Sequence, residues 1–286
     1  MISLVYLFAV LFSVSQSASV KYYRRNNEDV LFFNAVKSLA AFLVLAALLV
    51  WNFRFHAPTA AYGVLYGVFL AISMHTGYKA LCLGPMSLTG MIVSFSVILP
   101  IAYGIVFARE KPTVFQGVGL VFFVLSVVFT SLRTGTASVS QETGAKNRKK
   151  WLLYVFLTFM TNGLCSTLQK MHQSAYPHRQ LGEFVLYACG FCTLVFGVAY
   201  LKKRTAHGSV RGVGFAGLAG LSNAAANFCT LLLAGNEYAA VMYPVISAGT
   251  VLAALVCGRM LFGEKLGLGQ WAALLCGLAA VVLLRL

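Results

Sequence analysis

Gly212, Gly214 and Gly217 in "RGVGFAGLAG" (residues 211–220) have the G-x-G-x-x-G spacing that, in a soluble enzyme, cradles a dinucleotide phosphate. That chemistry needs a strand before the glycines, a helix after them and an acid for the ribose. Here no strand precedes them, and the next acid, Glu237, lies past the far end of an apolar helical stretch. They read as packing glycines. With Gly220, and with Gly63-x-x-x-Gly67 earlier in the chain, they would let helix backbones approach closely in lipid. Cys189 and Cys192 form a C-x-x-C pair, but a thiolate is disfavoured in apolar surroundings. All seven cysteines (Cys82, Cys165, Cys189, Cys192, Cys229, Cys257, Cys276) fall in or at the ends of apolar runs and are expected to be small core thiols. The five histidines (His56, His75, His172, His178, His207) are scattered, and neither H-x-x-x-H nor G-x-S-x-G occurs. The sequence therefore gives no reason to expect a metal, a cofactor or an enzymatic nucleophile.

What remains is polar chemistry inside apolar segments. An ionisable group at the centre of a membrane helix costs about 2.5–3.5 kcal/mol and is a functional candidate by default. The acids are Glu28, Asp29, Glu110, Glu142, Glu183, Glu237 and Glu264, none of them in the middle of an apolar run. A proton-coupled drug exporter of the small multidrug resistance kind needs a buried carboxylate to trade a proton for a cation. Acid-free polar walls suit a small neutral, zwitterionic or anionic metabolite instead. The candidate substrate contacts are His75 in "AISMHTGYK", Asn162 in "FMTNGLC", and Asn223 and Asn227, which at i and i+4 share a helix face. Tyr243, beside Pro244, could set a phenol next to a carbonyl freed by the proline. Lys37, about 10 Å into its helix at 1.5 Å per residue, could add positive charge. Ser94 and Ser96 are weaker candidates. The competing structural readings are interhelical hydrogen bonds for the amides and phenol, and snorkelling for Lys37. Lys79 and Lys170, at helix ends, read as anchors.

The elements that must position these residues follow from composition. Of 286 residues, 59% are hydrophobic and only 10% charged, against about 25% charged in soluble domains. Runs near 20 apolar residues, the length that crosses a hydrocarbon core about 30 Å thick, follow one another almost end to end. Ten spans are expected: about 2–20, 30–51, 59–82, 85–107, 114–131, 151–169, 183–201, 212–234, 238–261 and 266–285. The connections are mostly too short for a soluble catalytic domain. The net charge of +15 sits at helix ends, where Lys and Arg meet lipid headgroups, so nucleic acid is not an expected partner. Trp51, Trp151 and Trp271 are placed as an aromatic belt would be.

The chain is also written twice. Glu110-Lys111 and Gln116 recur as Glu264-Lys265 and Gln270, 154 positions on. "GVLYGVFLAIS" from Gly63 matches "GVGFAGLAGLS" from Gly212, and "QSASVK" ending at Lys21 matches "CSTLQK" ending at Lys170, both 149 positions on. The repeat units are residues 1–131 and 151–286, joined by a polar basic linker over 132–150. Five crossings each would invert the second copy relative to the first, the plan of many carriers with a substrate site near the midplane. Pairing with the sixth helix makes residues 2–20 a true span rather than a cleaved leader.

The ending "GEKLGLGQWAALLCGLAAVVLL", its partner "REKPTVFQGVGLVFFVLSVVF" and the proline-bearing "EYAAVMYPVISAGTVLAALVCGRMLF" resemble the EamA-like branch of the drug/metabolite transporter superfamily. The resemblance implies an all-α integral membrane protein, ten transmembrane helices as two inverted five-helix repeats, carrying a small-molecule solute by alternating access. It also implies termini in the cytoplasm. The charge count points the other way, with 15 Lys and Arg on loops 1–2, 3–4, 5–6, 7–8 and 9–10 against 6 on the side of the termini. By the positive-inside rule both termini of this cell-membrane protein are then predicted outside. Lipid is the expected surroundings, with the protein a monomer or homodimer. The alternatives are an exporter of hydrophobic cations and a non-transporting membrane scaffold.

Overall fold

A backbone in hydrocarbon must satisfy its own N–H and C=O groups, and an apolar run does so as a helix. The computed structural model describes residues 2–25, 30–83, 89, 92–131, 145–203, 210–262 and 268–285. Among them are ten α-helices and no strand: α1 (Ile2–Arg25), α2 (Val30–Leu49), α3 (Ala57–Leu83), α4 (Ile98–Val106, entered through a 3₁₀ turn at Phe95–Val97), α5 (Val114–Ser131), α6 (Ala145–Ala175), α7 (Leu181–Lys203), α8 (Val210–Ala234), α9 (Ala239–Phe262) and α10 (Leu268–Arg285). Nine of the ten expected spans coincide with one helix each; of the span expected at 85–107, part lies outside the described residues, and the described helix there is Ile98–Val106 after its 3₁₀ turn. Five stretches are long and apolar enough to cross a membrane by themselves: Val30–Leu49, Ala57–Ala80, Lys149–Ala175, Leu181–Lys203 and Gly212–Ala234. The other helices carry shorter apolar stretches. Hydroxyls inside the helices are satisfied locally. Thr158, Thr161, Thr193, Thr230 and Thr250 each donate to the carbonyl four residues back, at 2.7–2.8 Å.

The chain divides into two compact units, each drawing on both halves of the sequence. Unit 1 comprises residues 1–71 and 171–235, and unit 2 comprises 72–170 and 236–286. The helices α3 and α6 pass through the division.

In unit 1, α2 and α7 pack antiparallel. Leu49 meets Gly182, Phe42 meets Gly190, and Phe32 lies 5.5 Å from Tyr200 between ring centres. α1 runs antiparallel to α8, with the Ser222 hydroxyl on that of Ser15 at 3.0 Å and Tyr23 packed with Phe33, Ala216 and Ala219. Close approach depends on particular glycines. A β-carbon on Gly63 would stand 2.9 Å from the Phe184 carbonyl oxygen, and one on Gly67 3.0 Å from that of Ala188. One on Gly220 would collide with the Lys37 carbonyl. The expectation that the whole G-x-G-x-x-G run serves packing is corrected here. At Gly214 and Gly217 an added β-carbon would meet nothing within 4 Å.

In unit 2, α5 and α10 pack antiparallel. Gly119 lies against Leu284, Gly277 against Ser126, and Gly269 against the Phe129 carbonyl. α9 packs beside α4, α5 and α10. Trp51 and Trp271 are exposed as a belt requires, but Trp151 is not. Its indole is buried with Ala80 and Val155 and donates to the Thr89 hydroxyl at 3.0 Å. A core hydrogen bond, unavailable to a belt position, explains the difference.

Candidate functional site

Each unit holds its own set of the polar residues singled out above. On α8 in unit 1, Asn223 is buried and Asn227 half-buried. They share a face as their spacing requires, and the Asn227 amide donates to the Asn223 carbonyl at 2.9 Å. The phenol of Tyr66, on α3, donates to Asn227 Oδ1 at 2.6 Å. Tyr66 was not anticipated; the signal for it was its place one turn from Gly63 on the helix matching α8 in the repeat. Lys37, only 4% exposed, is also in this unit. A snorkelling lysine lays its stem along the bundle surface, so that structural reading does not describe Lys37.

In unit 2, Asn162 on α6 donates from Nδ2 to the Ser96 hydroxyl at 2.8 Å. One turn on, Ser166 donates to the Asn162 carbonyl, and the buried Tyr243 phenol on α9 donates to the Ser166 carbonyl. A polar ladder thus links the 3₁₀ turn before α4, α6 and α9. It brings Asn162, Ser96 and Tyr243 together. Higher on α6, the hydroxyls of Thr158 and of Thr76 on α3 lie 2.9 Å apart. His75, the residue before Thr76, is exposed, as is Lys79.

The acids tell a different story from the one their sequence positions suggest. Among the described residues none is mid-helix: Glu183 is in the first turn of α7, and Glu110 and Glu237 precede α5 and α9. Glu183 and Glu110 are nevertheless buried. Glu183 stands where a helix N-terminus favours negative charge. Glu110 pairs with Lys170 at 2.7 Å, and its other oxygen accepts the Ala239 N–H at 2.7 Å, capping α9. Lys170 also donates to the Glu237 carbonyl at 2.6 Å. The reading of Lys170 as a headgroup anchor is corrected: its ammonium is held inside unit 2 by a carboxylate and a carbonyl.

Two histidines taken as scattered also come together. His172 is fully buried, with Gln173 Nε2 on its Nδ1 and Thr59 Oγ1 on its Nε2, each at 3.0 Å. Because the amide of Gln173 donates, Nδ1 accepts and Nε2 carries the proton toward Thr59. Thr59 donates in turn to Gln180 Oε1 at 2.7 Å and lies 3.0 Å from His56 Nδ1. The backbone is left-handed at His178 and Gln180 (φ 56° and 52°), and the Gln173 side chain accepts the His178 N–H at 3.0 Å, fixing that turn. A turn followed by α7 is therefore pinned to the start of α3. Thr59→Val removes the hub while keeping its shape, leaving His172 and Gln180 without their partner. It is expected to cost about 1–3 kcal/mol of stability, read as an earlier thermal transition of detergent-solubilised protein.

Cys165, Cys189 and Cys192 are buried free thiols, and Cys229 and Cys276 are free and half-buried. Cys192 donates weakly to the Gly67 carbonyl at 3.5 Å.

Residues 148–286 match the family model described as the EamA-like transporter family; the first half of the chain lies outside that match. No curated protein matches the sequence. Among solved structures, one described only as a crystal structure of a protein aligns with a TM-score of 0.77 at 13% identity, covering 99% of this chain and 95% of the other. That likeness shows the fold alone. Two structures of the sodium-calcium exchanger NCX_Mj align at 15% and 16% identity over 99% and 98% of this chain, and 95% and 93% of theirs. Both have a TM-score of 0.19.

Proposed function

We propose that the chain, whose residues 148–286 match the EamA-like transporter family model, belongs to that family of the drug/metabolite transporter superfamily and is a secondary carrier moving a small polar metabolite by alternating access. The observation that carries this reading is how matched helices pack. The second helices of the two repeats, α2 and α7, run antiparallel, and so do the fifth helices, α5 and α10. Two copies related by a two-fold axis in the membrane plane meet in this way. The crossing of α2 and α7 at Phe42 and Gly190 falls where such an axis would cut, since Ala41 and Gly190 are 149 positions apart.

The substrate class follows from the side chains. Asn162, Asn223, Asn227 and Tyr243 offer uncharged hydrogen-bonding groups, His75 is exposed, and Lys37 supplies a cation. This set suits a neutral, zwitterionic or anionic solute. Export of hydrophobic cations calls for a carboxylate in the path that is free to exchange a proton, whereas Glu110 is held by Lys170 and Glu183, though buried, lies in the first turn of α7 rather than mid-helix. The carrier is placed in the cell membrane with both termini outside, on the charge count. A C-terminal reporter active only in the cytoplasm stays silent under this orientation.

Purified protein in liposomes, offered a panel of amino acids, organic acids, sugars and nucleosides, is expected to take up one class saturably. Asn227→Ala, which strips Tyr66 of its acceptor, and His75→Ala are expected to reduce that uptake with membrane abundance unchanged. Wild-type rates in both variants would show that the solute binds elsewhere.

A further inference from the structure

We infer that Asn34 and Lys37 of α2 form a carboxylate subsite, in which the ammonium and the side-chain amide together hold the one negative charge of a small monocarboxylate solute. The inference rests on the carrier reading above and names a substrate class for it. Every residue involved belongs to unit 1. The buried face of α2 carries Asn34, Lys37, Ser38, Ala41 and Leu45, so polar side chains occupy its first half and apolar ones the rest. Asn34 and Lys37, three positions apart, are neighbours on that face, with about 5–6 Å between β-carbons. They are 5% and 4% exposed.

Both are donors without an acceptor. Asn34 Nδ2 is buried and makes no hydrogen bond. The ionisable groups that act on the Lys37 ammonium are the thiols of Cys192 and Cys189, one turn apart on α7, and among the described residues no carboxylate or carbonyl bonds it. Neither thiol supplies a counter-charge, because apolar surroundings keep a thiol protonated, and the Cys192 proton is directed at the Gly67 carbonyl. Ser38 donates to the Asn34 carbonyl at 2.7 Å, so its proton stays on its own helix. Glu183 stands beside the far end of α2, where Gly182 meets Leu49, about 18 Å along the helix from Lys37 at 1.5 Å per residue.

An ammonium inside the apolar span Val30–Leu49 is costly without a counter-charge, and a buried amide donor with no acceptor adds to the cost. Packing does not require the charge: the matching position of the second copy, 149 residues on, is the buried Leu186. The position is nevertheless firmly held, because α8 meets the Lys37 carbonyl at Gly220 and α7 meets Phe42 at Gly190. Two adjacent donors, one of them charged, match a carboxylate, whose two oxygens take one donor each. Its single charge cancels that of Lys37. A dianion such as a phosphate monoester would leave one charge over, since among the described residues no second cation acts on this point.

The test titrates full-length protein in detergent with lactate, pyruvate, benzoate and nicotinate, each beside its primary amide, and with inorganic phosphate and phosphatidylglycerol. Affinity is read from the thermal transition, since a ligand stabilises by mass action. At least one of the four acids is expected to raise the transition saturably while its amide does not. Lys37→Met is expected to weaken that acid about 100-fold, and Asn34→Leu about 10-fold. Without ligand neither variant is expected to melt earlier than wild type, because neither substitution takes away a partner. An earlier transition in either would assign that residue a structural role and overturn the subsite. Indifference of the wild type to all four acids, an equal response to acid and amide, or unchanged affinity in both variants would overturn it as well. A shift caused by phosphate or phosphatidylglycerol alone and abolished by Lys37→Met would give the donors to a phosphate group, against the proposal. Flux into liposomes decides the carrier reading separately: binding of an acid without flux keeps the subsite and fails the carrier, and saturable flux of uncharged solutes alone does the reverse.

Discussion

Glu110→Gln alone is expected to destabilise the protein by about 3–5 kcal/mol, the cost of leaving one member of a buried ion pair uncompensated. The reason lies in what remains. Lys170 is buried, and with the carboxylate gone its ammonium keeps a carbonyl but loses its counter-charge. The first N–H of α9 retains an acceptor in the glutamine oxygen, so the loss is mainly electrostatic. Lys170→Met is expected to cost a similar amount by stranding Glu110. The double variant Glu110→Gln/Lys170→Met is expected to recover most of the loss, since replacing a whole buried pair is often neutral. Thermal unfolding of the four proteins in one detergent checks this as a double-mutant cycle. Additive losses would mean that the two charges do not sense each other.

The second large effect is steric. Gly220→Ala is expected to cost about 1–3 kcal/mol, the range for forcing an extra methyl into a packed core. The new β-carbon would occupy the space of the Lys37 carbonyl oxygen, and with backbone on both sides α2 and α8 must move apart. Gly217→Ala, one turn earlier on the same helix, is the internal control. It has 4 Å of open space and gains about 1 kcal/mol of helix propensity, so it is expected to be neutral or stabilising. Circular dichroism melts of the two variants separate close contact from composition. Equal behaviour would show that the G-x-G-x-x-G run acts as a whole.

That contrast shows where sequence reasoning stops. The number, type and approximate bounds of the helices were legible because lipid leaves an apolar run of 20 residues one way to satisfy its backbone. The spacing of Asn223 and Asn227 was likewise enough to set them on one face. Periodicity does not reveal which neighbour a face meets. Gly214 and Gly220 look alike in sequence, yet only the latter touches a carbonyl. Lys170 sits at a helix end like an anchor, and only the fold brings Glu110, 60 positions away, onto it. The same limit hid Thr59 and His172, which lie 113 residues apart. The duplicated anchors were a usable signal for the ion pair, because a charge retained at both copies invites the question of its partner.

The account rests on two copies of one five-helix module lying inverted in the membrane. Single cysteines at Lys111 and at Lys265, which match in the repeat, test this in oriented vesicles with an impermeant maleimide. The account predicts that Lys111→Cys is labelled from one side and Lys265→Cys only from the other. Labelling of both from the same side would contradict it.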